Sequence, residues 1–255
     1  MNISKNHLGN GFLQNILHKI TEPRNRILLL FTLEGMLITL VNNLIGNNNN
    51  LFATRLGANE FQLSLLTTIP QLVGMLVLIP GGILTDRMTN KRNMVMVSLS
   101  TLTIFYTIIG FVPILNTNQF TAFLILLAAS VGPMTIYNVS WQAYFSDMVN
   151  IEERNHIITY RTALTFLIGI IIPLVSGSLL ALANTNNSKI RIHQTYFWIG
   201  AALLLIQIIV LNQIKGSPNT SSTRLSIRQL KIVFSELLHN KKFLGYVGVA
   251  MFFYA

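Results

Sequence analysis

Six long apolar runs separated by short polar breaks set the pattern of this chain: residues 27–45, 62–84, 94–115, 119–146, 157–183 and 194–213. Runs of this length fit neither the alternation of a half-buried strand nor the stripe of a surface helix. A helix needs roughly 20 apolar residues to cross about 30 Å of hydrocarbon, whereas a barrel strand needs about 9–11. In lipid every backbone N–H and C=O must bond internally, which leaves helices and closed barrels. The runs are too long for barrel strands. They predict six full membrane-spanning helices, and therefore an all-α polytopic membrane protein. A seventh apolar segment, residues 243–255, has 13 residues and is too short to span.

The polar intervals divide the rest. Residues 1–26 precede the first span and lack the small-residue cleavage site of a signal peptide. Within them Phe12, Leu13, Ile16, Leu17 and Ile20 recur at helical spacing, which suggests an amphipathic helix on the cytoplasmic face; a disordered tail is the alternative. Residues 27–213 form the six-span bundle. Residues 214–242 begin as a Gly-, Pro- and Ser-containing linker. They continue with Ile227, Leu230, Phe234 and Leu237 on one helical face and Arg228, Lys231, Ser235 and His239 on the other, a basic amphipathic helix for the inner leaflet. Residues 243–255 are read as an incomplete seventh span.

Composition agrees with a membrane chain. Of 255 residues 51% are hydrophobic and 10% charged, with mean hydropathy +0.54, against about 25% charged in a soluble domain. The net charge of +10 raises the question of nucleic acid. The cations fall at helix ends rather than along one surface stripe, so nucleic acid is not an expected partner; the lipid bilayer is. Cysteine is absent and the five histidines are scattered, so no disulfide framework, metal site or cofactor is expected.

The Lys and Arg distribution orients the spans. With the N-terminus inside, fifteen cations lie in inner segments, Arg154 and Arg161 at the start of span five among them, and only Arg55, Lys189 and Arg191 lie outside. By the positive-inside rule the N-terminus is cytoplasmic. Residues 47–50 and 116–118 then form outer loops.

The 82–92 loop carries the most specific signal. Gly81 and Gly82 let the second span approach a neighbour closely. Asp86 is followed by Arg87, Lys91 and Arg92 at a cytoplasmic helix end, where the acid can pair with Arg87 or Lys91, or sit at another helix N-terminus. This loop resembles the signature between helices two and three of the major facilitator superfamily, Gly-x-x-x-Asp-Arg-x-Gly-Arg-Lys/Arg. Gly82, Asp86, Arg87 and Lys91 take matching positions, with Arg92 just beyond. Thr89 and Asn90 depart from the signature, which makes the loop a variant. The acid and the Glu152-Glu153-Arg154 run after span four are similar to the family's loop between helices four and five. Gly169, Pro173 and Gly177 resemble its antiporter motif only loosely, and helix packing explains them equally well. The Arg that many proton-coupled drug exporters of the family carry inside helix four is absent from residues 119–146.

The resemblance implies a six-helix bundle built from two inverted three-helix repeats, one half of a secondary transporter working by alternating access on a small-molecule substrate. The 82–92 loop would then brace that half against the C-terminal half of the transporter, or against a second copy, in the outward-facing state. The chain is accordingly expected to be an N-terminal half or truncated product, placed in a cell membrane, a bacterial inner membrane by this reading. The alternative is a non-transporting membrane scaffold or regulatory subunit of the same fold. A membrane enzyme is not supported, since the spans hold no paired His, paired carboxylates or Ser-His pair. No phosphate-binding Gly-x-x-x-x-Gly-Lys-Ser/Thr loop appears, so ATP drive is not supported either.

Glu34 is the one carboxylate deep in a span. It lies eight residues past Arg26, about 12 Å of helix rise, where a charge costs at least about 2.5 kcal/mol. A wet cavity, a cation or protonation would each make it tolerable. In the family helices one and four line the cavity, so Glu34 is a candidate for proton coupling or for binding a cationic substrate group. Asn42 in span one and Asn138 and Gln142 in span four are further candidates, for cavity lining or for interhelical hydrogen bonds. Trp141 and Tyr144 lie near the inner interface, where an aromatic belt is the expected role. Pro70, Pro80, Pro133 and Pro173 predict bends within spans.

Overall fold

The computed structural model describes residues 23–115 and 118–214 and, beyond them, His239, Asn240, Leu244 and Gly245, with backbone only for Pro23 and Arg24. The amphipathic segment expected before residue 23 lies outside the described residues, as do those within 214–242 and 243–255 apart from the residues just named. Contact clustering separates residues 1–218 from 219–255; in the second unit the Leu244 N–H donates to the Asn240 carbonyl at 3.0 Å.

Among the described residues six helices are long and apolar enough to cross a membrane. They are α1 (Pro23–Ile45), α2 (Glu60–Arg87), α3 (Lys91–Phe111), α4 (Gln119–Met148), α5 (Ile151–Leu182) and α6 (Asn186–Asn212). Helix α1 is prolonged by a 3-10 turn, Gly46–Asn48, and a short helix, Asn49–Arg55. The polar run read as an outer loop is thus mostly helical. Its asparagines bond back along the helix: Asn43 Nδ2 to the Thr39 carbonyl, Asn47 Nδ2 to Asn43 Oδ1 and Asn48 Nδ2 to the Leu44 carbonyl. Local side-chain bonds of this kind replace the loop that composition alone suggests. The chain leaves the extension at Gly57, whose φ of +89° suits glycine. Asn59 then caps α2 in a reciprocal box with Gln62, at 2.8 and 2.9 Å. Most of the helices outrun their apolar runs because polar residues at the ends extend and cap them. All four span prolines stay inside continuous helix.

Packing follows one rule. Helix α3 packs on α4 and α6, α2 on α4, and α1 on α5 and α6. Advancing every label by three turns α2–α4 into α5–α1, turns α3–α4 into α6–α1, and leaves α3–α6 as it was. The contacts have the symmetry of two three-helix repeats, which begin on opposite sides of the membrane because each has an odd number of spans. Each repeat lends its second helix to the first helix of the other.

The core lies where α1, α3, α4 and α6 meet. Phe31, Val41, Leu99, Leu102, Ile109, Phe123, Leu204 and Leu211 are completely buried there. Phe52 of the extension joins Phe123, Phe197 and His193 in a ring cluster with centroids 5.0–5.6 Å apart. By contrast α2 buries only Leu66, Gly81 and Thr85, and α5 only Ile157 and Ser176. These two outer helices expose Met75, Leu76, Ile79, Phe166, Leu167 and Leu174.

Candidate functional site

Glu34 is completely buried, and four helices meet at its carboxylate. Arg161 of α5 forms an ion pair with Oε2, and the Tyr137 hydroxyl of α4 donates to Oε1. Gln207 Nε2 of α6 donates to Oε1 at 2.7 Å and to the Tyr137 hydroxyl oxygen at 3.1 Å. Every donor points toward the carboxylate, the pattern that serves an ionised group. Of the three ways to tolerate a deep carboxylate, the molecule uses a cation.

Helix geometry explains the meeting. Helices α1 and α5 start on the same side. Glu34 lies 11 residues after Pro23 and Arg161 lies 10 residues after Ile151, so both sit about 15–17 Å along their helices. Gly35 makes the approach possible: a Cβ there would lie 2.5 Å from Arg161 Nε and 2.6 Å from its Cγ. The guanidinium lies over Trp141, its Cζ 3.9 Å from the ring centroid, a cation–π contact. Its Nη1 also reaches the Phe31 carbonyl at 3.4 Å. Trp141 in turn stacks on Phe145 with centroids 5.2 Å apart and planes at 12°. Arg161 keeps 16% of its side-chain surface, whereas Glu34 keeps none.

Arg161 thus belongs to the bundle interior. Removing it from the fifteen inner-segment cations leaves fourteen against three, and the bias survives. Sequence reasoning missed its role because it lies only four residues into the apolar run and resembles an interfacial anchor. The available signal was equal depth: the one deep carboxylate and an in-span arginine fall at matching distances from the same membrane face. Gln207 and Gly35 were also missed, since neither carries a charge.

The other candidates sit apart from this network. Asn42, Asn138 and Gln142 are exposed, and no interhelical hydrogen bond engages them among the described residues. Asn138, Gln142 and Ser146 follow at four-residue intervals, a polar stripe along the exposed side of α4. Tyr144 departs from the belt role: only 4% of it is exposed, packed against Phe31.

At the end of the bundle that carries the 82–92 loop, small and polar groups join α2 to α4. A Cβ on Gly81 would meet Ile136 Cγ1 at 3.1 Å, and one on Gly74 would meet Val131 Cγ1 at 3.3 Å. Gly82 has more room, 4.0 Å to Val139 Cγ1. The Thr85 and Ser140 hydroxyls are 2.8 Å apart, both fully buried. Lys91 pairs with Asp147 at 2.9 Å instead of with Asp86. It opens α3 and faces the end of α4, whereas Asp86 and Arg87 are exposed on the last turn of α2. Arg92 bonds the Asn212 carbonyl at 2.9 Å and its side-chain oxygen, and Arg154 Nε bonds the Val149 carbonyl at 3.0 Å. Each cation neutralises the C-terminal end of a helix.

Six membrane-length helices in two interchanged repeats, closed around a buried charge pair, define a multi-pass helical membrane protein of the transporter type. The family model of the Major Facilitator Superfamily matches residues 27–255, and the chain belongs to that family. A search of curated proteins returns no match.

Proposed function

We propose that the protein moves a small solute across the membrane by alternating access, with the Glu34–Arg161 pair as its coupling element. The observation that carries this reading is the asymmetry of the pair: a fully buried Glu34 holds an arginine whose side chain is partly exposed. Protonation of Glu34 discharges the ion pair. Arg161, still supported by Trp141, then presents its donors to an anionic group of the solute. Asn138 and Gln142, on the α4 turns around Trp141, supply neutral hydrogen bonds to the same solute. Deprotonation restores the pair and releases the solute, so proton and solute movement are linked.

A second six-helix unit, the C-terminal half of the transporter or a second copy, covers the apolar faces of α2 and α5. Asp86 and Arg87, exposed at the end of α2, meet that unit and brace one conformation. Lys91 and Arg92 are engaged within their own bundle and hold the loop in place. The excess of inner-segment cations supports a cytoplasmic N-terminus in a cell membrane, a bacterial inner membrane in this reading.

The test is solute-induced proton movement in membrane vesicles from cells expressing the protein, read by a pH-sensitive dye against a panel of small carboxylates, amines and sugars. Carboxylates are expected to give a saturable signal that Glu34→Gln abolishes. A saturable signal that survives Glu34→Gln would remove Glu34 from coupling. A response to amines alone would overturn the anionic assignment.

A further inference from the structure

A small cavity lies at the end of the bundle that carries the 82–92 loop, bordered on its polar side by Asn90, Lys91, Arg92, Tyr144 and Asp147 and on its apolar side by Met148 and Ile214. Its volume of about 50 Å³ exceeds the 10–15 Å³ that one water needs. Two buried polar atoms of its wall have no partner: Tyr144 Oη and Arg92 Nε. Buried polar groups are nearly always satisfied, so each orphan calls for a ligand. Both are available as donors. A third contribution comes from helix α3, 21 residues long, which starts at Lys91. Of the first N–H groups of α3, that of Asn93 donates to the Asn90 carbonyl at 3.1 Å; the Asn90 side chain makes no capping bond to the others. Lys91 and Arg92 add two positive charges. The single acid, Asp147, is held through one oxygen by Lys91 at 2.9 Å, so the wall carries a net charge of +1.

We infer that this cavity binds a phosphoryl group, from dissolved phosphate or from the headgroup of an anionic lipid. Tyr144 Oη, Arg92 Nε and the α3 N-terminus donate to its oxygens, and Lys91 shares its charge between Asp147 and the phosphoryl group. The inference is independent of the transport reading, because Glu34 and Arg161 take no part in it. A phosphoryl group here ties the start of α3 to the end of α4, beside the loop that carries Asp86.

The experiment is thermal unfolding of the purified full chain in neutral detergent, followed by tryptophan fluorescence. Inorganic phosphate is titrated against chloride at matched ionic strength, and short-chain phosphatidic acid against the corresponding diacylglycerol. A saturable rise in Tm with phosphate identifies a soluble source; a rise with phosphatidic acid alone identifies a lipid source. In either case Tyr144→Phe should raise the half-saturating concentration about tenfold, as loss of a hydrogen bond to a charged group does. Its unliganded Tm should not fall, since the removed hydroxyl has no partner. Arg92→Lys, which keeps the charge and loses Nε, should weaken binding as well. No saturable shift with either probe, or a shift that both variants leave unchanged, overturns the inference and leaves water as the occupant.

Discussion

Replacing Arg161 with Met leaves the Glu34 carboxylate buried without its cation. Removing one partner of a buried pair costs about 3–5 kcal/mol, because the remaining charge is stranded. Glu34 has no exposed surface, so the full range applies. Two neutral donors remain, Tyr137 and Gln207, and they hold the loss below that of a bare charge. For a chain of this size 1 kcal/mol moves Tm by roughly 2–4 °C, so Arg161→Met should lower Tm by about 10 °C. Glu34→Gln strands the guanidinium instead. That loss should be smaller, because Arg161 reaches the surface and keeps its contact with Trp141. The double variant strands neither charge and should recover at least half of the Arg161→Met loss, since neutral replacement of a whole buried pair is often tolerated. The assay is a double-mutant cycle by thermal unfolding in detergent, with size-exclusion profiles as the folding control. The reasoning fails if Arg161→Met costs less than about 3 °C, or if the double variant is no better than Arg161→Met.

Three further outcomes are expected. Gly35→Ala should cost about 1–3 kcal/mol by overpacking, since its methyl would overlap three Arg161 atoms, whereas Gly169→Ala, with open space around it, should be neutral or slightly stabilising in the same unfolding assay. The chain has no cysteine, so single cysteines report exposure directly: Asn138→Cys and Gln142→Cys should react with a small thiol reagent in detergent at least tenfold faster than Ser140→Cys, which is buried, and equal rates would contradict the polar stripe. Lys91→Gln should lower Tm by less than Arg161→Met does, because Asp147 keeps 24% of its side-chain surface whereas Glu34 keeps none.

Helix number and placement were legible because bilayer thickness forces long apolar runs, and nothing else in a sequence mimics them. The site was legible only in part. Glu34 stood out because a charge in hydrocarbon is expensive wherever it points. Arg161 was harder, since an arginine four residues into an apolar run also fits a headgroup anchor. Tyr137 lies beside Asn138 in span four, but its direction depends on helix rotation, which a helix with buried residues on several sides does not announce. Gly35 was invisible for a related reason: a glycine shows its purpose only when the atom that fills its place is known. At the 82–92 loop the acid and cations were evident, but their partners were not. Lys91 reaches Asp147, 56 residues away in sequence, and no local rule selects that acid over Asp86.

The two repeats differ most in how their seams are closed. In the interchange of labels, α1–α5 corresponds to α4–α2. One seam is held by an ion pair, Glu34 with Arg161, and the other by a hydroxyl pair, Thr85 with Ser140. A glycine allows close approach in each, Gly35 in the first and Gly81 in the second. The hydroxyl pair is neutral. The ion pair is held by Coulomb attraction, which is strong where the dielectric is low. A fold with near-equivalent seams therefore carries one held by opposite charges and one held by neutral groups. On the coupling proposed above, movement is expected at the α1–α5 seam rather than at the α2–α4 seam.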